Sequence, residues 1–252
     1  MIDDFYQQLI STYIKNRINT NIAQICANDG RINDPIYQVV MQNQNRTRIL
    51  LIEPQIEVIP FLLENYQLHP KFTVAITAVG PSQELMLYRL KPELWGNLMR
   101  QHLHDSPSYR VPTGFTSHTK EHVLKHVRGN IPSSINVETS IEELQVSCNN
   151  LEGILIQHKF PTKIDLLNVD CEGMDDEVLY CCNLEKTHPD IINFEFKHLS
   201  KDGIHKLNGY LRSLNYLIFP WSDSDAIAVN QSCHFYAAFG ALFSTVPDKN
   251  IT

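Results

Sequence analysis

Two acidic residues that could do chemistry, Asp170 and Glu172, follow directly on the strongly apolar segment at 164–169. Alternate residues of an extended strand share a face, so we expect both carboxylates to point towards the crevice where open α/β sheets bind ligands. Carboxylates there can act as a general base, bind a metal ion or orient a hydroxyl. Helix capping is the alternative role, because acids are favourable just before a helix. One acid would suffice for a cap, and the pair therefore favours a chemical role.

Three further residues could remove a proton in the same region. Glu195 and His198 lie at and just after the end of the apolar stretch at 191–196, and His118 follows a polar turn. His118 either projects into the cleft as a base or is an ordinary loop residue, and the sequence leaves both interpretations open. Asp170, Glu195 and His198 together would also suit a magnesium, manganese or iron ion, although acids at strand ends require no metal.

Histidines recur at 118, 122 and 126, and a spacing of four places them on one face of a helix over 117–127. Lysine, glutamate and arginine residues are interspersed with them, and no H-E-x-x-H arrangement is present. We therefore predict that His122 and His126 lie on a solvated surface.

The first part of the chain contains the elements of a nucleotide-binding cradle. Apolar residues at 22–25 predict a short buried strand, which the run CANDG at 26–30 breaks with a sharp turn. Asp34 and Pro35 then favour the start of a helix. A second apolar strand ends in Glu53, about 20 residues downstream, where a carboxylate can accept hydrogen bonds from both hydroxyls of a ribose.

Alternating strand and helix patterns predict an α/β fold. Apolar residues at helical spacing indicate an amphipathic helix over 2–18. Beyond the cradle we predict a third strand at 72–78 with a hairpin partner at 85–90, buried strands at 164–170 and 191–196, and a closing antiparallel pair at 216–219 and 226–229. Ser140 and Glu143 form a capping box that predicts a short helix. No composition shift divides the 252 residues, so a single domain, 1–252, is expected.

Residues 91–134 differ from their surroundings. They contain four prolines, five of the eleven histidines and little apolar periodicity before His118. Such a segment is typical of a long loop, and we interpret it as a lid or insert over an active site that binds the acceptor.

The composition restricts the partners of the protein. A formal net charge of -7 without clustered lysine and arginine argues against nucleic acid. No stretch approaches the roughly 18 apolar residues of a membrane span, and the acidic N-terminal segment is unlike a signal peptide. We therefore expect a cytoplasmic protein without membrane association. Six cysteines without a C-x-x-C pair are expected to be reduced thiols.

Five motifs resemble, in their order and spacing, those of the FkbM-type family of S-adenosylmethionine-dependent methyltransferases. They are IAQICANDG at 22–30, ILLIEPQ at 49–55, AVGPSQELMLY at 78–88, IDLLNVDCEGMDDEVL at 164–179 and PDIINFEF at 189–196. The D-x-E-G signature in the fourth motif is the most specific, and the resemblance extends over about residues 20–230.

The resemblance implies a class I methyltransferase fold, with a Rossmann-like, mostly parallel sheet, a reversed final strand and helices on both faces. It also implies transfer of the sulfonium methyl group to a hydroxyl of a small molecule, such as a sugar, a polyketide-like compound or another specialised metabolite. Asn28, Asp29 and Gly30 would lie along the methionine portion and ribose, Glu53 would bind the ribose hydroxyls, and Ala78 with Val79 would flank the adenine. The full set of cofactor-binding candidates is Cys26, Ala27, Asn28, Asp29, Gly30, Asp34, Glu53, Pro54, Ala78, Val79 and Asp170. The candidates for the base are Asp170, Glu172, His118, Glu195 and His198.

Two departures from the family pattern, at Cys26 and in the histidine-rich segment 91–134, and two alternatives remain open. Cys26 stands where the family has the first glycine of the loop, a position that favours close backbone approach. A protein that binds S-adenosylmethionine without turnover is the first alternative. A nicotinamide-dependent oxidoreductase is the second, and it is disfavoured because the loop has one glycine where G-x-G-x-x-G needs three. A divalent metal ion is compatible with the sequence but not required by it, and a homodimer is equally compatible.

Overall fold

The computed structural model describes residues 3–98 and 107–237. Its strands are β1 (Thr20–Ile25), β2 (Thr47–Ile52), β3 (Phe72–Ala75), β4 (Ala78–Val79), β5 (Glu84–Leu90), β6 (Ile141–Asn149), β7 (Leu166–Val169), β8 (Ile191–Glu195), β9 (Tyr216–Pro220) and β10 (Asp225–Asn230). Seven of them form one sheet in the order β3-β2-β1-β7-β8-β10-β9. Among the described strands of this sheet only β10 is reversed, and it pairs antiparallel with both β8 and β9. The predicted α/β fold with a reversed final strand is confirmed.

Helices cover both faces of this sheet. The described helices are α1 (Asp3–Lys15), α2 (Tyr37–Gln42), α3 (Ile59–Tyr66), α4 (Arg110–Gly114), α5 (Lys120–Val127), α6 (Val137–Ser140), α7 (Leu151–Gln157), α8 (Asp175–Tyr180), α9 (Leu184–Thr187), α10 (Lys201–Ser213) and a 3-10 helix at Pro92–Asn97. Of these, α4, α5 and α6 mainly contact β5 or β6 rather than the seven-stranded sheet. Strand side chains alternate between the faces. Ile22 therefore packs with the apolar residues of α1, α2 and α3, whereas Ala23 packs with those of α7, α8 and α10. None of these described helices is long and apolar enough to cross a membrane.

A second sheet departs from the sequence-based expectation. The predicted hairpin between the third strand and residues 85–90 is wrong, because β5 pairs antiparallel with β6 and β4 pairs parallel with β6. The predicted helix after Ser140 is also wrong, since the short helix α6 ends there and residues 141–149 form β6. Asn136 caps α6 through its side-chain oxygen.

Candidate active site

A cleft of about 610 Å³ opens at the carboxyl ends of β1, β2 and β7. Parallel α/β sheets bind their ligands at this edge, and the volume lies within the range of small-molecule sites. The residues that follow the three strands line one part of the cleft, and β4, β5 and the segment 110–118 line the rest. The cleft therefore lies where the sequence placed the cradle.

The loop after β1 turns sharply because three of its residues adopt the left-handed conformation. The φ angle is 58° at Cys26, 48° at Asn28 and 66° at Gly30. A Cβ atom at Gly30 would lie 2.6 Å from Leu62 Cδ1 and 2.8 Å from Tyr66 Cε2, so the position requires glycine for its space as well as its φ angle. Gly30 thus fixes the loop by packing closely against α3.

Cys26 and Cys171 form a disulfide bond between the loop after β1 and the loop after β7. Their Cα atoms are 5.5 Å apart, a usual distance for a disulfide, because β1 and β7 are neighbours in the sheet. The expectation of reduced thiols is wrong for this pair, and Cys26 occupies the glycine position of the loop as part of a covalent link. The other described cysteines are free thiols: Cys148, Cys181, Cys182 and Cys233.

Glu53 lies directly after β2 and is buried. Its carboxylate accepts hydrogen bonds from the backbone N–H groups of Asn28 (2.7 Å) and Gln55 (2.9 Å), one on each oxygen. Burial raises the pKa of Glu53, and these hydrogen bonds partly oppose the shift. Each carboxylate oxygen has a second lone pair, so Glu53 can still accept hydrogen bonds from a diol in the cleft.

The turn after β7 presents the candidate acids. The φ angle is 49° at Glu172 and 96° at Gly173, and the second value explains the glycine of the D-x-E-G signature. Asp175 is fully buried and accepts hydrogen bonds from the backbone N–H groups of Cys171 (3.3 Å) and Glu195 (3.1 Å). Asp175 therefore holds the ends of β7 and β8 together, a role that sequence reasoning missed because it depends on the pairing of the two strands.

Two acids on this side of the cleft, Asp170 and Glu195, have strongly raised pKa values. Asp170 lines the cleft and is accessible to water from it, although many protein atoms surround its carboxyl group. This burial, together with the nearby Glu172 carboxylate, raises the pKa of Asp170 to about 7. Burial raises the pKa of Glu195 to about 9, with smaller contributions from Asp170 and Glu172. Asp170 can therefore take up a proton near neutral pH.

Residues 107–118 lie over the loop after β1. Asn28 Nδ2 donates a hydrogen bond to Thr113 Oγ1 (3.1 Å), and Gln55 Nε2 donates one to the carbonyl oxygen of Thr113 (3.2 Å). Arg110 Nη2 donates a hydrogen bond to the carbonyl oxygen of Ile32 (2.7 Å). Thr113 and Arg110 line the cleft and were missed by sequence reasoning, since no periodicity marks this region. The segment belongs to the predicted lid at 91–134, of which residues 99–106 lie outside the described part of the chain.

The histidines of α5 do not lie on a solvated surface, contrary to the prediction. His126 stacks on Phe115 with ring centroids 5.4 Å apart, and His122 Nε2 lies 3.3 Å from Glu172 Oε2. His118 lines the cleft, and burial lowers its pKa. The lysine and glutamate residues of α5 are exposed, but its histidine face is turned inwards because other residues of the helix pack into a core cluster with β5 and β6.

The cleft brings together most of the predicted site residues. Those that line it are Cys26, Asn28, Glu53, Pro54, Ala78, Val79, His118, Asp170 and Glu172. His198 lies beside them, with Nε2 3.7 Å from Glu172 Oε2 and 3.6 Å from Glu195 Oε1.

Four predicted cofactor-binding residues, Ala27, Asp29, Gly30 and Asp34, do not belong to the described lining of the cleft. Ala27 and Gly30 pack inwards. Asp29 Oδ1 accepts hydrogen bonds from two backbone N–H groups of its own loop (2.9 and 3.0 Å). Asp34 Oδ1 accepts hydrogen bonds from the backbone N–H groups of Ile36 (2.8 Å) and Tyr37 (2.7 Å). Helix α2 begins at Tyr37, two residues later than predicted. These residues shape the loop, and their contact with the cofactor stays a prediction.

The parallel sheet with one reversed strand and a cleft at the ends of β1, β2 and β7 defines the class I methyltransferase type of α/β enzyme. A family model described as the methyltransferase FkbM domain matches residues 24–218. The chain belongs to the FkbM methyltransferase family and is an S-adenosylmethionine-dependent methyltransferase, as the sequence motifs indicated. The oxidoreductase alternative is therefore set aside.

Several solved structures are similar to this chain at low identity. Precorrin-6y C5,15-methyltransferase from Geobacter metallireducens is 9% identical with a TM-score of 0.41, over 88% of this chain and 86% of that chain. TrmK from M. capricolum, in complex with S-adenosyl-homocysteine, is 12% identical with a TM-score of 0.39, over 87% of this chain and 65% of that chain. The Methanococcus jannaschii fibrillarin pre-rRNA processing protein is 8% identical with a TM-score of 0.40, over 86% of this chain and 69% of that chain. The sequence matches none of the curated proteins with which it was compared.

Proposed function

We propose that this methyltransferase transfers the methyl group to a hydroxyl oxygen of a small molecule. The observation that carries the proposal is the pair of carboxylates, Asp170 and Glu172, in the lining of the cleft. A hydroxyl is a poor nucleophile while it is protonated, so its methylation needs a base that removes the proton as the new bond to carbon forms. Either carboxylate supplies such a base, and Asp170, with a pKa raised to about 7, is the first candidate.

The side of the cleft nearest β1 and β2 fits the cofactor. Glu53 is a buried acceptor with free lone pairs for the ribose hydroxyls, and Ala78 with Val79 offers an apolar wall for the adenine. The backbone at 26–28 borders the space for the methionine portion. S-adenosylmethionine supplies an electrophilic methyl group on its sulfonium, and the displacement then depends mainly on alignment of the acceptor with its base.

The acceptor would lie between Asp170 and the histidine face of α5, where His118 also lines the cleft. A cleft of about 610 Å³ that also holds the cofactor leaves room for a compact acceptor such as a sugar or a polyketide-like alcohol. A net charge of -7 disfavours a nucleic-acid acceptor, because phosphate contacts need clustered basic residues. We place the reaction in the biosynthesis of specialised metabolites.

An activity assay with isotope-labelled S-adenosylmethionine tests this proposal. The acceptor panel contains sugars, phenols and polyketide-like alcohols, together with amines and RNA, and mass spectrometry locates the added methyl group. We expect an O-methylated product, with turnover reduced by about 10²-fold or more in Asp170→Asn. The exposed acid Glu185 provides the matched control, and Glu185→Gln should retain full activity. Methylation of RNA or amines alone would overturn the proposal, and cofactor binding without any turnover would favour the non-catalytic alternative.

A further inference from the structure

Three side chains at the edge of the cleft have the geometry of metal ligands. One oxygen of Glu172, one oxygen of Glu195 and one ring nitrogen of His198 all lie within 4.8 Å of one another. His198 Nε2 is 3.7 Å from Glu172 Oε2 and 3.6 Å from Glu195 Oε1. Two ligands of a tetrahedral zinc ion, each bound at about 2.1 Å, lie about 3.4 Å apart. The observed separations therefore suit groups that share one ion.

A fourth side chain reaches the same cluster from helix α5. His122 Nε2 lies 3.3 Å from Glu172 Oε2, and the His122 and His198 rings have centroids 5.0 Å apart. His122 Nε2 and Glu195 Oε2 are both buried, and neither makes a hydrogen bond of suitable geometry with a described residue, although His122 Nε2 lies close to Glu172. Buried polar atoms are normally partnered, so an ion between these groups would explain both exceptions.

The backbone fixes the cluster before any ion binds. Glu172 belongs to the left-handed turn after β7, and Glu195 ends β8, where Asp175 accepts a hydrogen bond from its N–H group. His198 follows three residues later, and His122 comes from α5 on the other side. Because the backbone already brings the four side chains together, binding of an ion requires little rearrangement of the chain, which favours affinity.

We propose that Glu172, Glu195, His198 and His122 bind a divalent first-row transition-metal ion. Mixed carboxylate and imidazole ligands suit manganese, iron or zinc, whereas magnesium prefers oxygen ligands and retains several waters. The site differs from the set Asp170, Glu195 and His198 expected from the sequence, because Glu172 takes the place of Asp170.

The position of the site gives the ion a function. Glu172 also lines the cleft, so a coordination position that the protein leaves open would face the acceptor. An acceptor hydroxyl bound there would lose its proton more readily, since a divalent cation acts as a Lewis acid. This function rests on the proposed methyl transfer, whereas the binding of the ion itself does not.

Binding of Mn²⁺, followed by the loss of the electron paramagnetic resonance signal of the free ion, tests the site. Manganese is the appropriate probe because it prefers oxygen ligands to the free thiols of this chain. We expect one ion per native chain and at least a tenfold weaker affinity in Glu195→Gln and in His198→Ala. His122→Ala should weaken binding by a smaller factor. The exposed residues Glu185 and His205 give matched controls, and Glu185→Gln and His205→Ala should bind as the native protein does.

The folding of each variant is checked by thermal unfolding, and Glu172→Gln replaces any variant whose midpoint falls below that of the controls. A native protein that binds neither Mn²⁺ nor Zn²⁺ would overturn the metal site, as would undiminished Mn²⁺ binding in every folded ligand variant. Calorimetry with S-adenosylmethionine separates the two proposals. Cofactor binding without metal binding rejects the metal site alone, whereas metal binding without methyl transfer rejects the proposed reaction alone.

Discussion

Cys26 and Cys171, 145 residues apart in the sequence, are joined by a disulfide that links the loop after β1 to the D-x-E-G turn after β7. β1 and β7 are hydrogen-bonded neighbours, so the link closes directly across the carboxyl edge of the sheet. Both cysteines line the cleft. One covalent bond therefore fixes the cofactor loop relative to the turn that presents Asp170 and Glu172.

Removal of the disulfide should lower stability. We expect the Cys26→Ser/Cys171→Ser double variant to lose about 2–4 kcal/mol of unfolding free energy, because the link restricts a long segment of the unfolded chain. Urea denaturation of the double variant and of the native protein, with and without reductant, measures the difference. Reductant should destabilise the native protein and leave the double variant unchanged. Thiol labelling of denatured protein should find four reactive cysteines before reduction and six after it, and six before reduction would contradict the bond.

Gly30 and Gly209 form a matched pair for a test of the cofactor loop. Gly30→Ala should cost about 2–4 kcal/mol, because the new Cβ would meet Leu62 and Tyr66 at a φ angle of 66°. Gly209 lies in α10, where an added Cβ would meet no atom within 4 Å beyond its own stretch of helix, so Gly209→Ala should raise stability by roughly 0.5–1 kcal/mol. Denaturant unfolding of both variants measures these changes. Equal stability of the two variants would contradict the described packing of the loop on α3.

His69 is a buried residue whose two ring nitrogens have fixed roles. Nδ1 accepts a hydrogen bond from the N–H group of Lys71 (3.2 Å), and Nε2 lies 2.9 Å from Thr47 Oγ1. The Thr47 hydroxyl donates to the carbonyl oxygen of Asn43, so Nε2 of His69 is the donor. Only the neutral ring satisfies both contacts, and burial lowers the pKa of His69 to about 4.

This arrangement predicts loss of stability in acid. The unfolded chain, with a histidine pKa of 6.5, binds the proton more readily than the folded chain does. The free energy of unfolding should therefore fall as the pH decreases from 6.5 towards 4, by up to about 1.4 kcal/mol per pH unit from this residue. Urea titrations across this range should show a weaker pH dependence in His69→Gln and an unchanged one in the exposed control His205→Gln. If the free energy of unfolding depended on pH in the same way in the native protein and in both variants, His69 would not be the group that titrates.

The central sheet could be predicted because its strands are nearly continuous apolar runs. Leu50, Leu51 and Ile52 of β2 are all fully buried, as expected of a parallel strand covered on both faces. The second sheet escaped prediction because Ser140 and Glu143 happen to match a capping box. The alternation of Leu144, Val146 and Cys148 in β6 was the signal for a strand, and these side chains do share one apolar cluster.

Relationships across the cleft were less accessible to sequence reasoning. The ends of β1 and β7 could be located, but the approach of Cys26 to Cys171 follows from the order of strands in the whole sheet. Helical spacing likewise shows that His118, His122 and His126 share a face, without showing which element that face contacts. The contact of His122 with Glu172 depends on the packing of α5 against the second sheet.

Calorimetric titration with S-adenosylmethionine and S-adenosylhomocysteine tests most directly whether the cleft is a methyltransferase site with separate cofactor and acceptor sides. Both compounds should bind the native protein. We expect affinity to fall by at least about tenfold in Glu53→Ala, because hydrogen bonds to a charged group are lost, and to persist in Asp170→Ala. Thermal unfolding of each variant verifies that it is folded. Failure of both compounds to bind the native protein, or unchanged binding in folded Glu53→Ala, would contradict this assignment of the cleft.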